Sequence, residues 1–169
     1  MVNIFTNSIN GGASAMVGQN LGAQKYDRVK KTVYTALAMG AVFSALACVI
    51  ALFFPKAAFG LFTQDAEVME GGVLFMRVSV ITFILSAIQG PFMASVTGSG
   101  HAKLNFLAGM LDGVILRLGI SFSFAYLLGM GVVGFYYGNA LARLGPVCIG
   151  IGYFYSGKWK TRKLLLNKS

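Results

Sequence analysis

Residues 32–54, TVYTALAMGAVFSALACVIALFF, run for 23 positions without a charge. A hydrocarbon core of about 30 Å is crossed by roughly 20 helical residues, so this single stretch is long enough to span a bilayer. Three further long apolar stretches follow it. The composition agrees, with 56% hydrophobic residues, 11% charged residues and a mean hydropathy of +0.71. In a soluble protein 169 residues would suggest one ordinary core; here the length is better counted in crossings.

Five spans are expected, over residues 5–22, 32–54, 73–97, 104–128 and 132–155. The first contains Asn7, Asn10, Gln19 and Asn20. It is too polar to face lipid all round and is expected to line a cavity or pack within protein. It carries no basic leader and does not read as a cleaved signal peptide. The apolar runs exceed the roughly ten alternating residues of a barrel strand, so the fold class expected is all-α, a polytopic membrane helix bundle forming one transmembrane domain over residues 1–169.

The net charge of +9 sits between the spans. Residues 23–31 hold Lys25, Arg28, Lys30 and Lys31 against Asp27; residues 97–103 hold His101 and Lys103; the tail holds Lys158, Lys160, Arg162, Lys163 and Lys168. Residues 55–72 instead carry Asp65, Glu67 and Glu70 against Lys56, and residues 129–131 are uncharged. Basic and non-basic connections alternate as five crossings require, which places the basic ones in the cytoplasm. The chain would start outside and end inside, an arrangement that fits the carboxy-terminal part of a longer protein. A charge distributed this way argues against nucleic acid as a partner and for the lipid bilayer.

Cys48 and Cys148 each lie in an apolar span and read as small core residues. His101 is the single histidine and stands in a loop, so neither a metal site nor a cofactor is expected. No phosphate-cradling glycine loop, activated nucleophile or carboxylate pair points to an enzyme.

Gly18 and Gly22, Gly109 and Gly113, and Gly134 and Gly138 form small-xxx-small pairs, suited either to static packing or to helices that slide past one another. Gln89-Gly90-Pro91 and Gly145-Pro146 are expected to interrupt their helices, making Pro91 and Pro146 hinge candidates or sites of passive kinks. Three charges lie within spans: Asp112, Arg117 and Arg143. In an α-helix, residues 112 and 117 stand about 140° apart, so a pair between them is not expected. Asp112 would instead meet Arg143 or a helix from elsewhere, or act as the group that takes up a coupling ion. Asn7, Asn10, Gln89, Asn139, Tyr136 and Tyr137 are candidates to line a substrate cavity, polar groups orienting ligands between aromatic walls.

The run Gly11-Gly12-Ala13-Ser14-Ala15-Met16-Val17-Gly18-Gln19-Asn20-Leu21-Gly22-Ala23-Gln24, followed by Tyr26-Asp27-Arg28-Val29-Lys30-Lys31, resembles the second helix of a lobe and its internal loop in multidrug and toxic compound extrusion (MATE) transporters. Later features match in order. Phe62-Thr63-Gln64-Asp65 resembles an external loop, Gly98-Ser99-Gly100-His101-Ala102-Lys103 the next internal loop, Arg117 an arginine of the eleventh helix, and Ser156-Gly157-Lys158-Trp159-Lys160 the closing basic segment.

The resemblance implies twelve helices in two lobes, of which this chain would supply helices eight to twelve, with the first lobe and helix seven as missing partners. It also implies antiport: small organic, often cationic compounds leave in exchange for H+ or Na+ by alternating access. The expected location is the prokaryotic plasma membrane. The family's usual coupling acids find no counterpart among Asn7, Asn10, Gln19 and Asn20 of the first span or Ser86 and Gln89 of the third, which leaves Asp112 as an independent candidate. A flippase for lipid-linked substrates, or a fragment inactive without its other lobe, are the alternatives.

Overall fold

The computed structural model describes residues 2–63 and 65–160, and among these every regular element is helical. The tail cations Arg162, Lys163 and Lys168, and Gln64 of the external-loop motif, lie outside the described residues. In chain order the helices are α1 (Val2–Gly22), α2 (Tyr26–Phe53), α3 (Pro55–Gly60), α4 (Ala66–Gly98), α5 (Ala102–Met110), α6 (Leu116–Phe122), α7 (Val132–Leu141) and α8 (Leu144–Ser156). Two π-helical turns, Leu111–Ile115 and Ser123–Leu127, join α5 to α6 and extend α6, and a 3-10 turn, Lys158–Lys160, follows α8.

Three of these rods are long and apolar enough to cross a membrane: Tyr26–Phe53, Val68–Gly98 and the continuous Ala102–Leu127. α1 has the length, at 21 residues, but its amide side chains lower its apolarity. The crossing expected over residues 132–155 is divided, because Ala142 and Arg143 form a turn between α7 and α8. Pro146 explains the break. Its ring lacks an N–H and meets the carbonyl four residues earlier, at Ala142. The interruption therefore falls ahead of the proline, which sits buried in the first turn of α8. At Pro91 the expectation of an interruption is corrected: α4 continues through it from Ala66 to Gly98.

α2 shows why the chain folds this way. Val29, Val33, Ala36, Gly40, Ser44, Ala47 and Ala51 are buried and recur every three to four residues, so small side chains line the protein-facing side. Val42, Leu46, Val49, Ile50 and Phe53 are exposed on the other side. That is the inverse of a water-soluble helix and the pattern expected where lipid is the solvent. Only 11% of the apolar stretch within Ala102–Leu127 is buried, which makes it the most outward-facing of the three rods.

α4 is the central strut, packing on α1, α2, α7 and α8. At one end, Val17, Leu21, Val29, Val33, Phe92, Val96, Tyr153, Phe154 and Trp159 form the largest apolar cluster. Trp159 is 2% exposed, stacks on Phe154 at 5.9 Å and donates its indole N–H to the Phe154 carbonyl at 2.8 Å. It thus acts as a plug fixing the end of α8. Gly134 and Gly138 are needed for contact, since a Cβ at either would overlap the segment from Ser121 to Ala125. Gly109 and Gly113 meet nothing within 4 Å, so that pair makes no close contact here.

Candidate functional site

Polar residues on α1 and α4 recur at helical spacing and face each other. On α1 they are Thr6, Asn7, Asn10 and Ser14; on α4 they are Ser86, Gln89 and Thr97, with Met93 between. These two stripes line a cavity of about 500 Å³, closed on a third side by Arg143 from the turn between α7 and α8. The α1 stripe can approach because α4 carries Gly90 there: a Cβ at that position would occupy the space of the Asn10 amide. Ser86 turns its hydroxyl back to the Thr82 carbonyl at 2.6 Å, the usual way a membrane helix satisfies a serine.

Arg143 anchors the cavity wall. Its Nη1 donates to Gln89 Oε1 at 3.3 Å, joining the α7–α8 turn to α4. Arg143 Nε and Asn10 Oδ1 are buried without a hydrogen-bond partner. Burying such groups unpaired costs about 1–3 kcal/mol each, so the cavity wall holds one donor and one acceptor that a side-chain shift would have to uncover before a ligand or water could reach them. Among the described residues Arg143 is its only charged lining residue.

Of the six residues expected to line a cavity, Asn7, Asn10 and Gln89 meet here. Asn139, Tyr136 and Tyr137 do not line it. α7 packs against α6 and α4, and Tyr136 spends its ring on Phe75, edge to face at 5.2 Å. Phe122 and Tyr126 stack on each other at 5.7 Å on the outer surface, 50% and 72% exposed. The contributions of Arg143, Ser86 and Thr97 were legible as the polar stripe of α4 and the break before Pro146.

The expected geometry of the intramembrane charges is corrected. Asp112 pairs with Arg117, Nη2 to Oδ1 at 3.5 Å. The two stand apart on an α-helix, but residues Leu111–Ile115 form a π turn in which the Leu116 N–H reaches the Leu111 carbonyl. Bonding from i to i+5 widens the helix and brings residues five apart onto one side. Arg143 is within electrostatic range of both, but its hydrogen bond goes to Gln89. Asp112 and Arg117 do not line the cavity.

Just past the C-terminal end of α4, His101 is more than an isolated loop residue. Tyr153 OH lies 2.8 Å from His101 Nδ1 and 2.7 Å from Ser99 Oγ. The cluster ties the α4–α5 connection to α8.

Residues 1–127 match the family profile MatE. The chain is similar to a probable multidrug resistance protein NorM of Pseudomonas putida, at 25% identity over 88% of this chain and 33% of that protein. It is also similar to an uncharacterized transporter, YisQ, of Bacillus subtilis, at 25% identity over 78% of this chain and 29% of that protein. A probable multidrug resistance protein NorM of Thermotoga maritima shares 20% identity over 90% of this chain and 33% of its own length. The chain thus spans about a third of the length of the curated relatives it matches. No solved structure matches. With 127 of its 169 residues matched by the profile, an all-helical apolar bundle and the Gly-Gln-Asn-Leu-Gly-Ala run on α1, the chain belongs to the MatE family of membrane transporters.

Proposed function

We propose that this chain forms part of a secondary active exporter that moves small organic, drug-like compounds outward in exchange for H+ or Na+ by alternating access. The observation that carries this reading is the cavity between α1 and α4: at about 500 Å³ it is the size of a small-molecule site, and it is walled by amides, hydroxyls and one guanidinium. Arg143 repels a cationic group placed beside it. A cationic substrate therefore needs an acid from outside this wall, while neutral or anionic parts of a ligand suit Arg143 and Asn10.

The rest of the path comes from a second lobe in this reading. Arg117 is 38% exposed along its side chain on a rod of membrane-spanning length, and Gly109 and Gly113 on the same rod are bare. A charge at bilayer depth is costly unless protein or water covers it, and further helices would supply that cover. α1 and the α7–α8 pair complete five crossings, with the basic connections in the cytoplasm. Asp112 is the ion-coupling group: protonation, or capture of Na+, neutralises it and releases Arg117.

Flux in liposomes tests the reading. An imposed proton or sodium gradient should drive uphill movement of an organic dye, and dye movement should in turn dissipate the gradient. Dye movement independent of both gradients would refute antiport.

A further inference from the structure

Two cavities adjoin at the end of the bundle where α1 turns into α2. The larger, about 780 Å³, is a groove between these helices. Its α1 wall is built from Ile9, Gly12, Met16 and Gln19 and its α2 wall from Arg28, Lys31, Thr35 and Met39. On α2 these positions follow one another at three- and four-residue steps, a single stripe. The groove is graded: among the described residues its two cations, Arg28 and Lys31, are at the loop end, beside Gln19 and Asn20, and no acid lines it. Towards the middle of the bundle it is lined by Ile9, Ala13, Ala36 and Met39.

The second cavity, about 570 Å³, opens at the same end and shares Arg28; Lys25, Lys30 and Lys160 surround it, with Asp27 as its one acid among the described residues. From Arg28 to Met39 is eleven residues, or about 16 Å of helix. One leaflet of hydrocarbon is half of the roughly 30 Å core, so the groove matches a leaflet in depth.

We propose that this groove holds one anionic phospholipid, its phosphate between Arg28 and Lys31 and an acyl chain lying along Met16 and Met39. Charge complementarity selects the headgroup, since an arginine and a lysine with no opposing carboxylate offer a phosphate several donors. The second cavity widens the positive field, and cationic pockets between membrane helices are where such headgroups settle. The apolar floor selects a lipid over a soluble phosphate. A lipid held there would bridge α1, which carries one wall of the substrate cavity, to α2.

The test uses a tryptophan in the floor of the groove, Met39→Trp, in vesicles of phosphatidylcholine containing a minor fraction of chain-brominated lipid, with the signal taken as the difference from the parent chain. Brominated phosphatidylglycerol should quench this tryptophan several-fold more than the same fraction of brominated phosphatidylcholine. A reporter on the outward face of α2, Leu46→Trp, should show no such preference, which separates a site from general attraction to the surface. Removing each cation should weaken the preference roughly fivefold, so Arg28→Gln with Lys31→Gln brings the two lipids level, whereas Arg28→Lys with Lys31→Arg retains the difference. Equal quenching by both lipids at Met39→Trp would overturn the proposal, as would silence in both because another protein segment fills the groove. Full displacement by soluble glycerol phosphate would also overturn it, showing an anion site without a lipid.

Discussion

Arg117 reaches back five residues to Asp112, Nη2 to Oδ1 at 3.5 Å, because a π turn stands between them. Both charges sit on a rod of membrane-spanning length, Ala102–Leu127, and the pair is neutral only while Asp112 is ionised. If Asp112 is the coupling group, Asp112→Asn should leave the chain folded and abolish the pH or sodium dependence of transport. Dye flux measured across a pH series checks this. Unchanged dependence would leave Asp112 as a structural partner of Arg117.

Arg143 is the one charged residue that lines the cavity among the described residues. A guanidinium about 8 Å from a ligand charge, at an effective dielectric near 20, is worth about 2 kcal/mol. Arg143→Met should therefore favour a permanently cationic substrate over its neutral analogue by roughly thirtyfold compared with the parent chain, read as the ratio of their inhibition constants in a competition assay. A ratio that does not move would place the substrate elsewhere.

Glycine positions should separate into two groups. Gly138→Ala puts a Cβ against Ser121 and should cost about 1–3 kcal/mol through overpacking of α7 on α6. Gly109→Ala meets nothing within 4 Å and should be neutral or stabilising by up to about 1 kcal/mol through helix propensity. Thermal unfolding in detergent measures both. A loss at Gly109 as large as at Gly138 would mean that a further helix packs on α5.

The hydroxyl of Tyr153 joins Ser99 to His101. Tyr153→Phe keeps the ring and removes this link, with an expected loss of about 1 kcal/mol. Proteolysis of the connection between α4 and α5 should quicken in this variant. An unchanged cleavage rate would show that Trp159 and the apolar cluster hold α8 without it.

Much of the fold is legible in the sequence because lipid imposes one rule, uncharged runs of about twenty residues, and residues 32–54 obey it plainly. The polar stripe of α1 pointed to a cavity for the same reason: Asn7 and Asn10 have no place in hydrocarbon. Long-range pairing was not legible. Nothing in the residues around Asp112 announces a π turn, since its hydrogen bonds are set by how α5 and α6 pack, and an ideal α-helix therefore placed Arg117 on the wrong side. The same applies to Tyr136 and Asn139. Their types suit a cavity, but the face that α7 presents depends on Gly134 and Gly138 seating it against α6.

Threading of the bundle is decided by labelling single cysteines with a membrane-impermeant thiol reagent, in a chain whose Cys48 and Cys148 are changed to alanine. Lys25→Cys and Lys158→Cys should both stay unlabelled in intact cells and react after permeabilisation, while Lys56→Cys and Met130→Cys react from outside. Finding positions 25 and 158 on opposite faces would contradict five crossings, and with them the exporter.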